Sequence, residues 1–129
     1  MLKTSVLALG LTLSAAGLAA AQESAAAQDP DMAVSAARNQ LGVLEYCQTE
    51  GHIDGAAVDT QAKLLTLMPK ATDEASAQMA YEKGQQGTVS AMGVEQSLAD
   101  AAARQGTDEA ALCTQLASLV EQAGTELPE

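Results

Sequence analysis

Residues Gln40–Gly55 read QLGVLEYCQTEGHIDG and hold one of the two cysteines and the only histidine of a 129-residue chain. Leu41, Leu44 and Cys47, with Ala33 and Ala37 upstream, recur at helical spacing and mark one face of a helix running from Met32 to about Glu50. Gly51 follows where a glycine commonly closes a helix C-terminus. Cys47, His52 and Asp54 come in close succession, and this raises three readings. The thiol is a nucleophile, a metal ligand or a structural cysteine beside a helix stop.

The nucleophile reading needs a base that supplies the thiolate. In a continuous helix His52 would stand about 140° round the axis from Cys47, and Gly51 breaks the helix between them. No third residue is placed to orient the imidazole. A zinc site needs three or four ligands in a compact set, usually with paired Cys-x-x-Cys spacing. Here the second thiol, Cys113, is far away in sequence and there is one histidine. His52 with Asp54 would hold a metal only loosely, and the simpler reading of His52 is a polar residue past a helix C-terminus, where its positive form suits the dipole. The reading therefore assigns no catalytic, cofactor-binding or metal-ligating residue, no cofactor and no enzymatic activity.

The start of the chain explains the cysteines. Residues 1–21, MLKTSVLALGLTLSAAGLAAA, combine Lys3 with an uncharged apolar run from Ser5 to Leu18 and end in Ala19-Ala20-Ala21. This is the pattern of a signal peptide cleaved after Ala21; the alternative is an uncleaved membrane anchor. Export delivers the chain to an oxidising compartment, the periplasm or the exterior, with two cysteines and none left over. Compartment and count thus predict a Cys47–Cys113 disulfide. The loop it closes is long enough that the chain-entropy estimate is roughly 4 kcal/mol.

Such a staple is needed. The chain has two tyrosines, Tyr46 and Tyr81, and no tryptophan or phenylalanine. Its apolar share comes largely from alanine, which favours helix but buries little area per residue. A core of that kind leaves a small domain marginal on burial alone. Charge points the same way for partners. Once Lys3 is removed the basic residues fall from six to five against 17 acidic ones, one unit more negative than the −11 of the whole chain. Such a surface repels nucleic acid and anionic lipid headgroups.

Residues 22–31 read as a flexible leader, 32–124 as the helical domain and 125–129 as a tail. A second helix is expected from Asp54 to Leu67 or Met68, with Val58, Ala62, Leu65 and Met68 as its apolar stripe and Pro69 as its stop. Thr72 caps a third, which carries Ala75, Met79 and Ala80 to about Lys83. GQQG (84–87) is a break. Thr88 then restarts a fourth helix with Val89, Met92, Gln96, Ala99 and Ala103, ended by Gly106. Thr107 opens the last, Asp108 to about Ala123, with Leu112, Leu116, Leu119 and Val120 on one side. No segment alternates with period two over a useful length, so the fold class is all-α, a small bundle of four or five short helices. Gly84 and Gly87 lack the Lys-Ser/Thr pair of a phosphate loop, which leaves no small-molecule substrate indicated. Residues 84–107 read either as a close helix–helix contact or as a hinge that lets a hairpin of helices open.

Three stretches carry a resemblance: AARNQLGVLEYCQTEGHIDGAAV (36–58), GTVSAMGVEQSLADAAARQGT (87–107) and AALCTQLASLV (110–120). In these the chain resembles small exported alphaproteobacterial proteins described as a pore-forming ESAT (early-secreted-antigen-like) family. The resemblance implies a helical-hairpin protein that is exported and acts on membranes, and it carries over no pore-lining residue; self-association or a protein partner stands open beside it. Beyond the signal region there is no run of about 20 apolar residues that could span a bilayer as a single helix. The competing expectation, from composition and architecture, is a non-enzymatic periplasmic protein that binds another protein in the manner of the acid-activated chaperones.

Overall fold

The computed structural model describes residues 29–91 and 93–128; the expected signal peptide, 1–21, lies outside the described residues. Within them the chain forms α1 (Pro30–Thr49), α2 (Ala56–Thr66), α3 (Glu74–Gln85), a hairpin of β1 (Thr88–Ala91) and β2 (Val94–Ser97), then α4 (Leu98–Arg104) and α5 (Glu109–Gly124). The fold is mostly helical, as composition implies, with one two-stranded sheet that the helical reading did not foresee.

Local chemistry sets the helix boundaries. Asp29 caps α1 by accepting the Asp31 N–H at 3.0 Å, and Pro30 stands in the first turn, where its missing N–H costs nothing. Residues 30 and 31, read as leader, are therefore helix. Asp54 accepts the Ala56 N–H at 3.0 Å ahead of α2. Asp73 and Asp108, not Thr72 and Thr107, cap α3 and α5 by accepting the Ser76 and Ala111 N–H groups. Thr72 instead donates its N–H (2.7 Å) and its hydroxyl to the Asp31 carboxylate, tying the start of α1 to the approach to α3. These bonds, the hydroxyl's first, hold the Asp31 carboxyl below its ordinary range.

The most extensive helix pairing is α1 against α3, and two glycines make it. A Cβ added to Gly42 would lie 2.2 Å from the Tyr81 carbonyl oxygen, and one added to Gly84 would lie 2.2 Å from that of Asn39. Backbone meets backbone with no side chain between. The close-contact reading of Gly84 is thus the observed one.

This approach delivers Asn39 to the hairpin. Its carboxamide is buried, donates to the Ala80 and Thr88 carbonyls at 2.9 Å each, and accepts the Ser90 N–H at 2.8 Å. The hairpin register makes that fit. Ala91 pairs with Val94 across the Met92-Gly93 connection and Val89 with Gln96, so Thr88 and Ser90 turn their main-chain groups away from β2. Asn39 meets them as a neighbouring strand would.

Two small cores flank α1. Val43, Cys47, Leu98, Ala102, Leu112 and Cys113 form one, and Leu44, Ala57, Ala117 and Val120 the other. The expected stripes were rotated in several places: Ala62, Ala75, Met79, Ala99, Ala103 and Leu119 are exposed, while Ala57, Gln61, Ala77, Leu98, Ala102 and Ala117 are buried. Buried Gln61 donates to the Ala37 carbonyl at 2.9 Å and so joins α2 to α1.

Two substitutions test this construction by denaturant unfolding. Gly84→Ala must push α1 and α3 apart and should cost about 2 kcal/mol or more. Asn39→Ala strips the hairpin's inner edge of its partners and should cost about 3 kcal/mol, with the Ser90 amide losing hydrogen-exchange protection first. A variant within about 0.5 kcal/mol of the parent would refute its half of the argument.

Candidate functional site

The chemistry-bearing residues of the opening stretch separate into structural tasks. Cys47 on α1 and Cys113 on α5 form a disulfide with their Cα atoms 5.7 Å apart, and both residues are fully buried. The bond lies inside the first core, where neither sulfur meets a reductant without local opening. The His52 N–H donates to the Cys47 carbonyl (2.9 Å), and its Nε2 stands 3.9 Å from Glu109 Oε1. Asp54 caps α2. Among the described residues no three His, Cys, Asp or Glu side chains converge as a metal set.

Glu109 gathers this end of the molecule. It sits in the first turn of α5, where a carboxylate complements the helix dipole, beside His52, and it is near enough to the Tyr46 hydroxyl to push that phenol up. The Tyr46 ring lies so near Gly87 that a Cβ there would fall 2.9 Å from it, so one side chain links the foot of the hairpin to the start of α5. Tyr81 repeats the pairing on α3, donating to Glu45 at 2.6 Å with Gln85 bonded to both. A carboxylate beside each hydroxyl favours the protonated phenol, and each phenol is pushed up to about 12.

The hairpin supplies what the helices do not. Cross-strand partners share a face, so Val89, Gln96, Ala91 and Val94 point one way and Thr88, Ser97, Ser90 and Glu95 the other. On the second face Glu95 pairs with Lys83 of α3. The first face roofs a cleft of about 280 Å³ whose floor is Leu98 and Ala101 of α4 with Leu112 and Leu116 of α5. Gln96 and Gln105 are the polar groups on its wall, and Arg104 donates to the Gln96 carboxamide at 3.2 Å. Val94, 66% exposed, forms its lip. A larger concavity of about 480 Å³ between α2 and the end of α5 is lined by threonines, Lys63 and Glu121 as well as leucines, and lacks this apolar continuity.

No family model matches the chain, and neither a curated protein nor a solved structure matches it. The site therefore rests on geometry. Sequence reasoning placed Val89 and Gln96 on a helix and missed the cleft. The usable signal was Thr88-Val89 and Val94 flanking a glycine, followed by Ser97 and Asp100 as the start of a helix.

Two measurements follow. Absorbance titration of the folded chain should show both phenols ionising near pH 12 instead of 10, with Glu45→Gln returning Tyr81 toward 10. Because the folded state holds these protons more tightly, the stability they contribute is present below the unfolded value of 10.0 and lost as pH rises toward about 12. Replacing both cysteines, Cys47→Ser with Cys113→Ser, should lower stability by about 3–4 kcal/mol, read as a shifted denaturant midpoint. In the parent chain reductant should act only at the rate of opening. Immediate reduction under native conditions would contradict the burial argument.

Proposed function

We propose that this is a non-enzymatic binding protein of an oxidising compartment, the periplasm or the exterior, that works as a closed, stapled body. One observation carries the reading. The residues that could do chemistry are spent on architecture, in the staple, the caps and the Tyr–Glu pairs, while the continuous apolar concavity lies under the hairpin. A concave apolar surface with a few polar groups on its wall is the kind of place where a partner is recognised. The disulfide supports the compartment, since such bonds persist outside the reducing cytoplasm.

Membrane activity is the second reading, favoured by the three stretches that resemble the pore-forming family. No described helix is long and apolar enough to cross a membrane. Insertion would require amphipathic helices to leave the bundle, against the α1–α3 backbone contact and a bond that joins the end of α1 to the start of α5.

Dye-loaded liposomes separate the two. The oxidised chain should release nothing at neutral or acidic pH, and alkylation of material recovered from its native location should find no free thiol. Leakage by the oxidised chain at either pH would transfer the function to the membrane, and free thiols in the native material would remove the compartment argument.

A further inference from the structure

The two edges of the hairpin are finished differently. On the inner edge the Thr88 carbonyl and Ser90 N–H are met by Asn39, a buried side chain given over to that task. On the outer edge the same register turns the N–H and C=O of Glu95 and the N–H of Ser97 away from β1, and among the described residues they have no hydrogen-bond partner.

Natural edge strands are usually guarded by shortness, a charge standing on the edge, a proline or a bulge, and of these β2 keeps its four-residue length. Here Glu95 is drawn by Lys83 toward α3, β2 contains no proline, and Val94 is exposed beside the apolar cleft. Past the end of β2 the carboxylate of Asp100 is exposed with no cation bonded to it among the described residues, whereas Lys83 and Arg104 are engaged by Glu95 and Gln96.

The geometry points to β2 as the docking edge for an extended segment of a partner protein, added as a third strand. Alternate apolar side chains of the segment enter the cleft over Leu98 and Leu116, and a basic residue meets Asp100. This rests on the binding reading above and gives that site its partner chemistry. Main-chain hydrogen bonds supply the register, the cleft selects apolar residues at every second position, and the acidic surface selects a basic segment. The inner edge of the hairpin is excluded because Asn39 already occupies it, and on the face away from the cleft Glu95 is paired with Lys83 of α3.

The probe is the acetylated, amidated peptide KVSVSVK, titrated into the oxidised, isotope-labelled chain and followed by NMR. Saturable binding is expected, with shifts concentrated on Gly93, Glu95 and Ser97 and on the cleft, and with the Glu95 and Ser97 amides gaining hydrogen-exchange protection. The unpatterned isomer KKVVVSS and a copy of the first peptide N-methylated on its bonding edge should each bind at least about tenfold more weakly. Glu95→Pro removes one edge donor while leaving the paired side of β2 intact, a substitution edge strands tolerate, and should weaken binding to the same extent. Glu95→Gln keeps that donor, loses the Lys83 ion pair and should bind within about threefold of the parent.

Absence of saturable binding at millimolar peptide, shifts centred elsewhere, or unchanged affinity for either the N-methylated peptide or Glu95→Pro overturns the proposal. A chain that neither leaks vesicles nor takes the peptide loses this site and keeps the binding reading; a chain that leaks vesicles loses both.

Discussion

Gly42 on α1 and Gly84 on α3 meet with no side chain between them, and the rest of the molecule is arranged around that approach. In a chain without phenylalanine or tryptophan, bulky side chains cannot fill the space between helices, so the helices come together instead. The contact brings the Asn39 backbone against Gly84 and so aims its carboxamide past the end of α3 at the strand that follows. A short hairpin alone is marginal in water. This one has an internal partner on its inner edge and an apolar floor beneath it, and both exist because two helices touch.

The opposite side of the fold is held by a different means. Cys47 and Cys113 lie in the core that contains Val43, Leu98, Ala102 and Leu112, while adjacent Leu44 faces the second core with Ala57, Ala117 and Val120. Neither cluster is large. The disulfide limits the freedom of the unfolded chain, a contribution of roughly 4 kcal/mol that compares with the net stability of a small domain. Tyr46 couples the two devices. Its ring lies on Gly87 at the foot of the hairpin, and its hydroxyl is near Glu109, one turn before Cys113.

The sequence was legible wherever one short-range signal dominated. Helix-start residues, the glycine at 51 and alanine-rich periodic segments placed four of the five helices to within a few residues, and compartment with count was enough to pair Cys47 with Cys113. Legibility failed where tertiary contacts outranked local pattern. Alanine occurs on every face of these helices, so a stripe drawn through Ala62 or Ala75 looks as good as the buried one through Ala57 or Ala77. Asn39 and Gln61 are polar and add nothing to an apolar stripe, yet both are buried because each satisfies main-chain groups of another element. The hairpin was read as helix because each strand is four residues long, too short for alternation to register, and its inner edge is completed by a side chain distant in sequence. The cleft went unseen with it.

Rigidity decides what such a cleft can do. Ordering a loose strand on binding consumes part of the interaction energy, whereas an edge already held in register presents its donors and acceptors without that cost. Asn39 fixes β1, the ladder fixes β2 to β1, and the Leu98 N–H bond to the Gly87 carbonyl (2.8 Å) closes the base where α4 begins. The same bonds that stabilise the hairpin therefore preorganise its free edge. The contact of Gly42 with Gly84 and the bonds of Asn39, far from the edge, thus hold the strand pair whose apolar face lines the cleft and whose Val94 stands exposed beside it.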